Sequence, residues 1–185
     1  MREAKKWFTK AIEADNTLFI AYFNRAAMNY FLEDYLRSLA DLQKASALNP
    51  SEPLSYFYKG MVYRKQKNYG AAIEAFKQAL EMNENLKFAY EEIANTYKDQ
   101  EKYDLALAFY EKAKDLDQQL GGKIYSGLMY YRKAVVYAKQ ENEIAMYAAL
   151  KDAKAAKVFR DKKVYQDFQK EQAFRQFRLE KGFQK

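Results

Sequence analysis

The chain repeats itself every 34 residues, and this period limits what it can fold into more than any other feature. Tyr22, Tyr56 and Tyr90 share one column of the repeat, and Ala26, Gly60 and Ala94 share the next. Tyr63 and Tyr97 form a third column, in which the earlier unit carries Asn29. Then follow Tyr35, Tyr69 and Tyr103, and after them Ser38, Ala72 and Ala106. Leu42, Phe76 and Tyr110 come next, and Ala45, Ala79 and Ala113 close the unit. Within one unit Tyr56, Gly60 and Tyr63 recur at spacings of four and three, which is one face of a helix. Asn68-Tyr69-Gly70 reads as a turn, and Ala72, Phe76 and Ala79 then mark one face of a second helix. Small residues sit where two helices approach closely, and rings fill the space beside the crossing. A helix pair of this size cannot bury its apolar face alone, so the units must stack.

A fourth full unit appears after a slip of six residues. Tyr130, Ala134 and Tyr137 continue the first columns, and Leu150 and Ala153 continue the last two. The inserted stretch is Gly121–Ser126, and its Gly121-Gly122 pair predicts a helix break. Upstream, Ala4, Phe8 and Ala11 match the second half of a unit. The predicted organisation is a half-repeat at 1–18, repeats at 19–52, 53–86, 87–120 and 127–160, and a basic C-terminal helix at 161–185. Val164, Tyr165, Phe168, Phe174 and Phe177 share a face of that last helix, and Gly182 ends it. Six Gly and two Pro are too few for the hairpins of an all-β fold, so the fold class is all-α.

The pattern Tyr56-x2-Lys59-Gly60-x2-Tyr63 followed by Ala72-x3-Phe76 resembles the tetratricopeptide repeat signature, and so does the Asn49-Pro50 stop ahead of the next unit. The resemblance covers residues 1–160 in phase. It departs at Asn29 in place of an aromatic, Met146 in place of a small residue and Glu143 in place of the turn tyrosine. The resemblance implies a right-handed superhelical solenoid of antiparallel helix pairs, closed by a capping helix. It further implies protein–protein interaction through a concave groove lined by the first helix of each pair. On this sequence the implied groove residues are Ile20, Phe23, Asn24, Leu54, Phe57, Tyr58, Met61, Phe88, Glu91, Glu92, Asn95, Tyr131 and Arg132. The partner expected for them is a peptide or protein segment with bulky apolar anchors and nearby Lys or Arg. Phe57 and Tyr58 can equally pack against neighbouring first helices. Phe23-Asn24-Arg25-Ala26-Ala27 is similar to the Asn-bearing helix of chaperone-tail clamps, but Leu54 and Tyr58 stand where that clamp carries Lys and Arg.

Composition narrows the function classes. The chain has no Cys and no His, which removes thiolate nucleophiles, the commonest general base and the commonest metal ligand together. Carboxylate pairs such as Glu91-Glu92 point in different directions on a helix. The expectation is a non-enzyme without cofactor or metal. No apolar run approaches a membrane span, and Met1–Lys10 lacks the apolar core of a secretory signal, so a cytoplasmic location is expected. The net charge of +7 is concentrated at one end: residues 151–185 hold 11 Lys and Arg against five acids, while the first 150 hold 21 against 20. Lys162, Lys163, Lys170, Arg175 and Arg178 alternate with aromatic residues, so the basic helix is an alternative site for nucleic acid or another anionic partner. Helical spacing favours those rings packing inward, which disfavours the alternative. A second alternative is self-association in a larger assembly. The N-terminal helix lacks a preceding partner helix, so Trp7, Phe8 and Ile12 are expected to show apolar surface, marking an oligomer contact or a longer parent chain.

Overall fold

The computed structural model describes residues 1–122, 124–171 and 174–175. Its helices are α1 (Arg2–Ala14), α2 (Phe19–Phe31), α3 (Tyr35–Leu48), α4 (Pro53–Lys65), α5 (Tyr69–Met82), α6 (Lys87–Asp99), α7 (Tyr103–Gln119), α8 (Ile124–Lys139), α9 (Glu143–Ala155) and α10 (Lys162–Lys170). A 3-10 turn, Val158–Arg160, precedes α10. Among the described residues there is no strand, and the fold is all-α and tetratricopeptide-like. The chain forms two compact units, residues 1–96 and 97–185.

One turn recurs inside each helix pair. Glu33, Lys67, Glu101 and Glu141 all adopt left-handed backbone, with φ of 61°, 61°, 60° and 56°. The following N–H, of Asp34, Asn68, Lys102 and Asn142, donates back to the carbonyl of Asn29, Tyr63, Tyr97 and Tyr137 at 2.9–3.0 Å. These bonds satisfy carbonyls that the helix end would otherwise strand. The same residue then caps the next helix: the side chains of Asp34, Asn68 and Asn142 accept from the N–H of Arg37, Ala71 and Ala145. The sequence places the second turn at Asn68–Gly70. In the structure it lies at Gln66–Asn68, and Tyr69 and Gly70 open α5, because Asn68 is already the cap.

In the first unit α2 packs on α3 and α4 on α5. Gly60 is buried where α4 crosses α5, and a Cβ there would lie 2.5 Å from Cε1 of Phe76. The departure at Asn29 has a partner. The Arg25 guanidinium donates two bonds to the Asp41 carboxylate at 2.9 and 2.7 Å, and the Asn29 amide donates a third at 3.0 Å. A buried carboxylate on α3 therefore selects a donor, not a ring, at the facing position of α2. The Asp41 pair raises the pKa of Arg25, chiefly through the hydrogen bond.

In the second unit the six inserted residues lengthen two helices. α7 has 17 residues against 14 in α5, and α8 has 16 against 13 in α4. Gly121, with φ of 77°, makes the break. The buried Asp117 carboxylate accepts from the Ser126 backbone N–H at 3.0 Å and its hydroxyl at 2.8 Å, tying the end of α7 to the start of α8. A Cβ on Gly122 would lie 2.3 Å from the same carboxylate, so only glycine fits beside it. Phe168 of α10 and Phe174 join Tyr131, Leu150 and Ala153 in the core of this unit. Helix α10 thus covers apolar surface of this unit. Phe177, Arg178 and Gly182 lie outside the described residues.

Candidate functional site

The first helices of unit one, α2, α4 and the part of α6 before Tyr97, present the residues named from sequence. Ile20, Leu54 and Phe88 stand at the same place in successive repeats, 34 residues apart, and all three are exposed. Each sits one or two residues inside the start of its helix, so its side chain lies where the helix N-terminus meets solvent. Helices α2 and α4 also carry a continuous aromatic cluster. Phe19 stacks on Phe23 at 5.8 Å, Phe23 meets the edge of Tyr58 at 5.5 Å, and Tyr58 meets Phe57 at 5.9 Å and Tyr30 at 6.1 Å. Phe57 leans on Phe76 of α5. Phe23, Tyr58 and Met61 are half-buried against the core of Ala26, Tyr30, Leu42 and Val62. These rings therefore join neighbouring first helices and still present part of their surface. Asn24 is half-buried on the same helix as Phe23.

The acidic residues of α6 are already engaged. Glu91 is buried. One Glu92 oxygen accepts from Arg64 Nη1 at 3.1 Å and the other from Asn95 Nδ2 at 3.3 Å. Both partners of the Arg64–Glu92 pair are mostly shielded. Burial pushes the Tyr30 phenol up to about 12, with the Glu92 charge adding to it, so this ring stays neutral. Arg64 was missed by sequence reasoning. The signal was available: Arg64 and Lys98 occupy the same column, a recurring cation one helical turn past the small residue at the crossing.

Tyr131 and Arg132 lie in the second unit. Tyr131 is buried, with Phe159 at 5.9 Å and Phe174 at 6.1 Å, both edge-on. With Lys98, Tyr110, Val135, Asp167, Lys170 and Glu171 the two residues line a cleft of ≈ 350 Å³. Burial, then the Asp167 and Glu171 carboxylates, push the Tyr131 phenol up to about 12. The lining mixes both signs of charge. Phe168 of α10 and Phe174 are fully buried and stack on each other at 5.7 Å. They offer no platform for stacking bases.

Among the described residues no group of three or more Asp and Glu could hold a metal ion, and no helix is long and apolar enough to cross a membrane. The family model for the tetratricopeptide repeat matches residues 53–86, and a second tetratricopeptide model matches residues 89–120. The chain is a tetratricopeptide repeat protein. Tetratricopeptide folds of similar extent occur among solved structures. MamA from Desulfovibrio magneticus RS-1, residues 41 to the end, is 17% identical with a TM-score of 0.69, over 86% of this chain and 85% of that one. Another MamA crystal structure is 19% identical with a TM-score of 0.68, over 87% and 89%. The hetero-tetramer Cut9–Hcn1 of APC/C is 16% identical with a TM-score of 0.72, over 90% of this chain and 32% of that one. No curated protein matches in sequence. As a tetratricopeptide repeat protein the chain is a protein-interaction scaffold, a class that is in general non-enzymatic and works through extended surfaces of stacked helices.

Proposed function

We propose that the chain binds a segment of a partner protein along the first helices of unit one, with Ile20, Leu54 and Phe88 as its apolar contacts. The observation that carries this reading is the row itself: one bulky apolar side chain per repeat, left in solvent at the same helical position three times. None of the three belongs to the buried cluster of Ala26, Tyr30, Leu42 and Val62. The half-buried Phe23, Tyr58 and Met61 form the floor beneath, with Phe57 and Asn24 beside them. An anchor buried on this floor contributes roughly 1.5–3 kcal/mol before ordering costs. Basic residues of the partner set register instead of strength. Glu92 is held by Arg64 and Asn95, so an incoming Lys or Arg must share or displace an existing pair. Cut9–Hcn1, a fold neighbour, is itself found in a hetero-tetramer, which is the kind of setting such a scaffold serves.

The test is affinity capture with the intact chain and with a triple variant, Ile20→Asp, Leu54→Asp and Phe88→Asp. All three side chains are exposed, so the variant keeps its melting temperature within a few degrees. The reading expects proteins captured by the intact chain to be lost from the folded variant. Capture of the same proteins by both would move the site elsewhere.

A further inference from the structure

The first helices carry a cation in one column of the repeat: Arg25, Lys59 and, past the six-residue slip, Lys133, with Ile93 between them. Two of these cations are matched by a carboxylate. Arg25 donates to Asp41, on the second helix of its own pair. Lys133 donates to Glu111, on the second helix of the pair before it. Lys59 has neither partner. The counterpart of Asp41 is Ala75, and the counterpart of Glu111 is Gln43. Lys59 Nζ instead donates to Ser46 Oγ on α3 at 2.7 Å and lies 4.7 Å from the centre of the Tyr56 ring. Among the described residues no carboxylate of α2, α3 or α5 stands within ion-pair distance of it.

This setting favours the neutral amine. Lys59 is half-buried in the packing of α4 on α3. Burial penalises the ammonium and lowers its pKa below the ordinary value of 10.5. The Tyr56 face attracts a cation and works the other way, but a neutral ring is no substitute for a carboxylate. Nor does Ser46 require the ammonium. It turns its own hydrogen to the carbonyl of Leu42 or Gln43, at 2.9 and 3.1 Å, and so accepts a hydrogen from Lys59. A neutral amine still has a hydrogen for that bond, and its lone pair is left for chemistry.

We propose that Lys59 is a modification site, which takes small acyl groups from thioesters or acyl phosphates ahead of the carboxylate-paired Lys133. The Nζ lone pair attacks the acyl carbon and a C–N bond forms. The bond from that carbon to the thiol sulfur or phosphate oxygen breaks, and its electron pair leaves with the thiolate or phosphate. The nitrogen gives one proton to solvent and ends as a neutral amide. The proposal does not rest on docking of a partner at Ile20, Leu54 and Phe88.

The test treats the 185-residue chain separately with acetyl phosphate and with the acetyl thioester of N-acetylcysteamine. Mass spectrometry follows the rate at each lysine from about pH 7 to 10, the range over which a lowered lysine gains its neutral form. Lys59 should react about tenfold faster than Lys133 at neutral pH. Its rate should level off at a lower pH than that of the exposed Lys77. Gln43→Glu supplies the carboxylate that Lys133 already has. It should slow Lys59 about tenfold and leave Lys77 unchanged, because an opposite charge nearby holds the ammonium. Gln43 is exposed, so this variant keeps its fold, which circular dichroism checks. The reciprocal Glu111→Gln should speed Lys133. Fast reaction with one donor alone supports the site and assigns it that donor class. Reaction with neither donor overturns the proposal. So do equal rates at Lys59 and Lys133, or a Lys59 rate untouched by Gln43→Glu.

Discussion

A Cβ added at Gly60 would meet the Phe76 ring at 2.5 Å, while one added at Gly70 meets nothing within 4 Å. The two glycines therefore predict opposite outcomes. Gly60→Ala should destabilise the first unit by about 1–3 kcal/mol, because Phe76 is fully buried and has nowhere to retreat. Gly70→Ala, in the first turn of α5, should stabilise by up to about 0.5–1 kcal/mol by restricting the unfolded chain. Urea unfolding followed by circular dichroism measures both. In the second unit Glu111 accepts from Lys114 and Lys133. Burial is the largest single influence on its carboxyl and raises its pKa, but the bonds from the two lysines together outweigh it, so the net value is lowered below 4.5. A lowered carboxylate contributes stability that is complete above its unfolded value and is lost as pH falls through the folded one. Glu111→Gln should therefore lower the melting temperature at neutral pH and flatten its decline below about pH 4.5. A variant as acid-sensitive as the parent would mean that the lysine pair stabilises nothing.

The helices and their pairing were legible because each one repeats a column pattern that burial enforces. Ala26, Leu42, Ala72, Phe76 and Ala79 were assigned to helix faces from spacing, and all are buried in the structure. The turns were less legible. Their left-handed residue is Glu or Lys in every pair and never Gly, so the usual glycine signal is absent and Gly70 draws attention to the wrong place. That choice has an energetic consequence. A non-glycine residue in this conformation costs roughly 1–2 kcal/mol, partly offset by the greater freedom glycine has when unfolded. Lys67→Gly should accordingly stabilise by about 0.5–1 kcal/mol and Lys67→Val should destabilise, as read from thermal melts. The Arg25–Asn29–Asp41 network was also hidden, since a buried carboxylate is recognised only when its donors on a second helix are known. Removing one partner of such a shielded pair strands the others. Asp41→Ala should cost about 2–3 kcal/mol in the same unfolding experiment, less than a fully enclosed pair because Arg25 keeps some solvent contact.

At the scale of the whole molecule the repeat announces the class of function, while the partner stays unwritten because most of the periodic signal is packing. Sequence placed thirteen residues in one groove. In the structure Ile20, Leu54 and Phe88 are open to solvent, and Phe23, Phe57, Tyr58 and Met61 are shared between packing and surface. Glu91, Asn95 and Tyr131 are buried, and Glu92 is paired. Spacing along a helix reports which face a residue is on, but not whether a neighbouring helix has covered it. That distinction yields the most direct measurement of the central claim, that partners bind the first-helix face of unit one. Leu54 on α4 and Leu36 on α3 are both exposed leucines, one on a first helix and one on a second. Calorimetric titration of a captured partner into Leu54→Asp and Leu36→Asp chains compares the two faces with the same change of chemistry. The account predicts that Leu54→Asp weakens binding at least tenfold, about 1.4 kcal/mol or more, while Leu36→Asp binds as the parent does. Unchanged affinity in Leu54→Asp together with a loss in Leu36→Asp would contradict it.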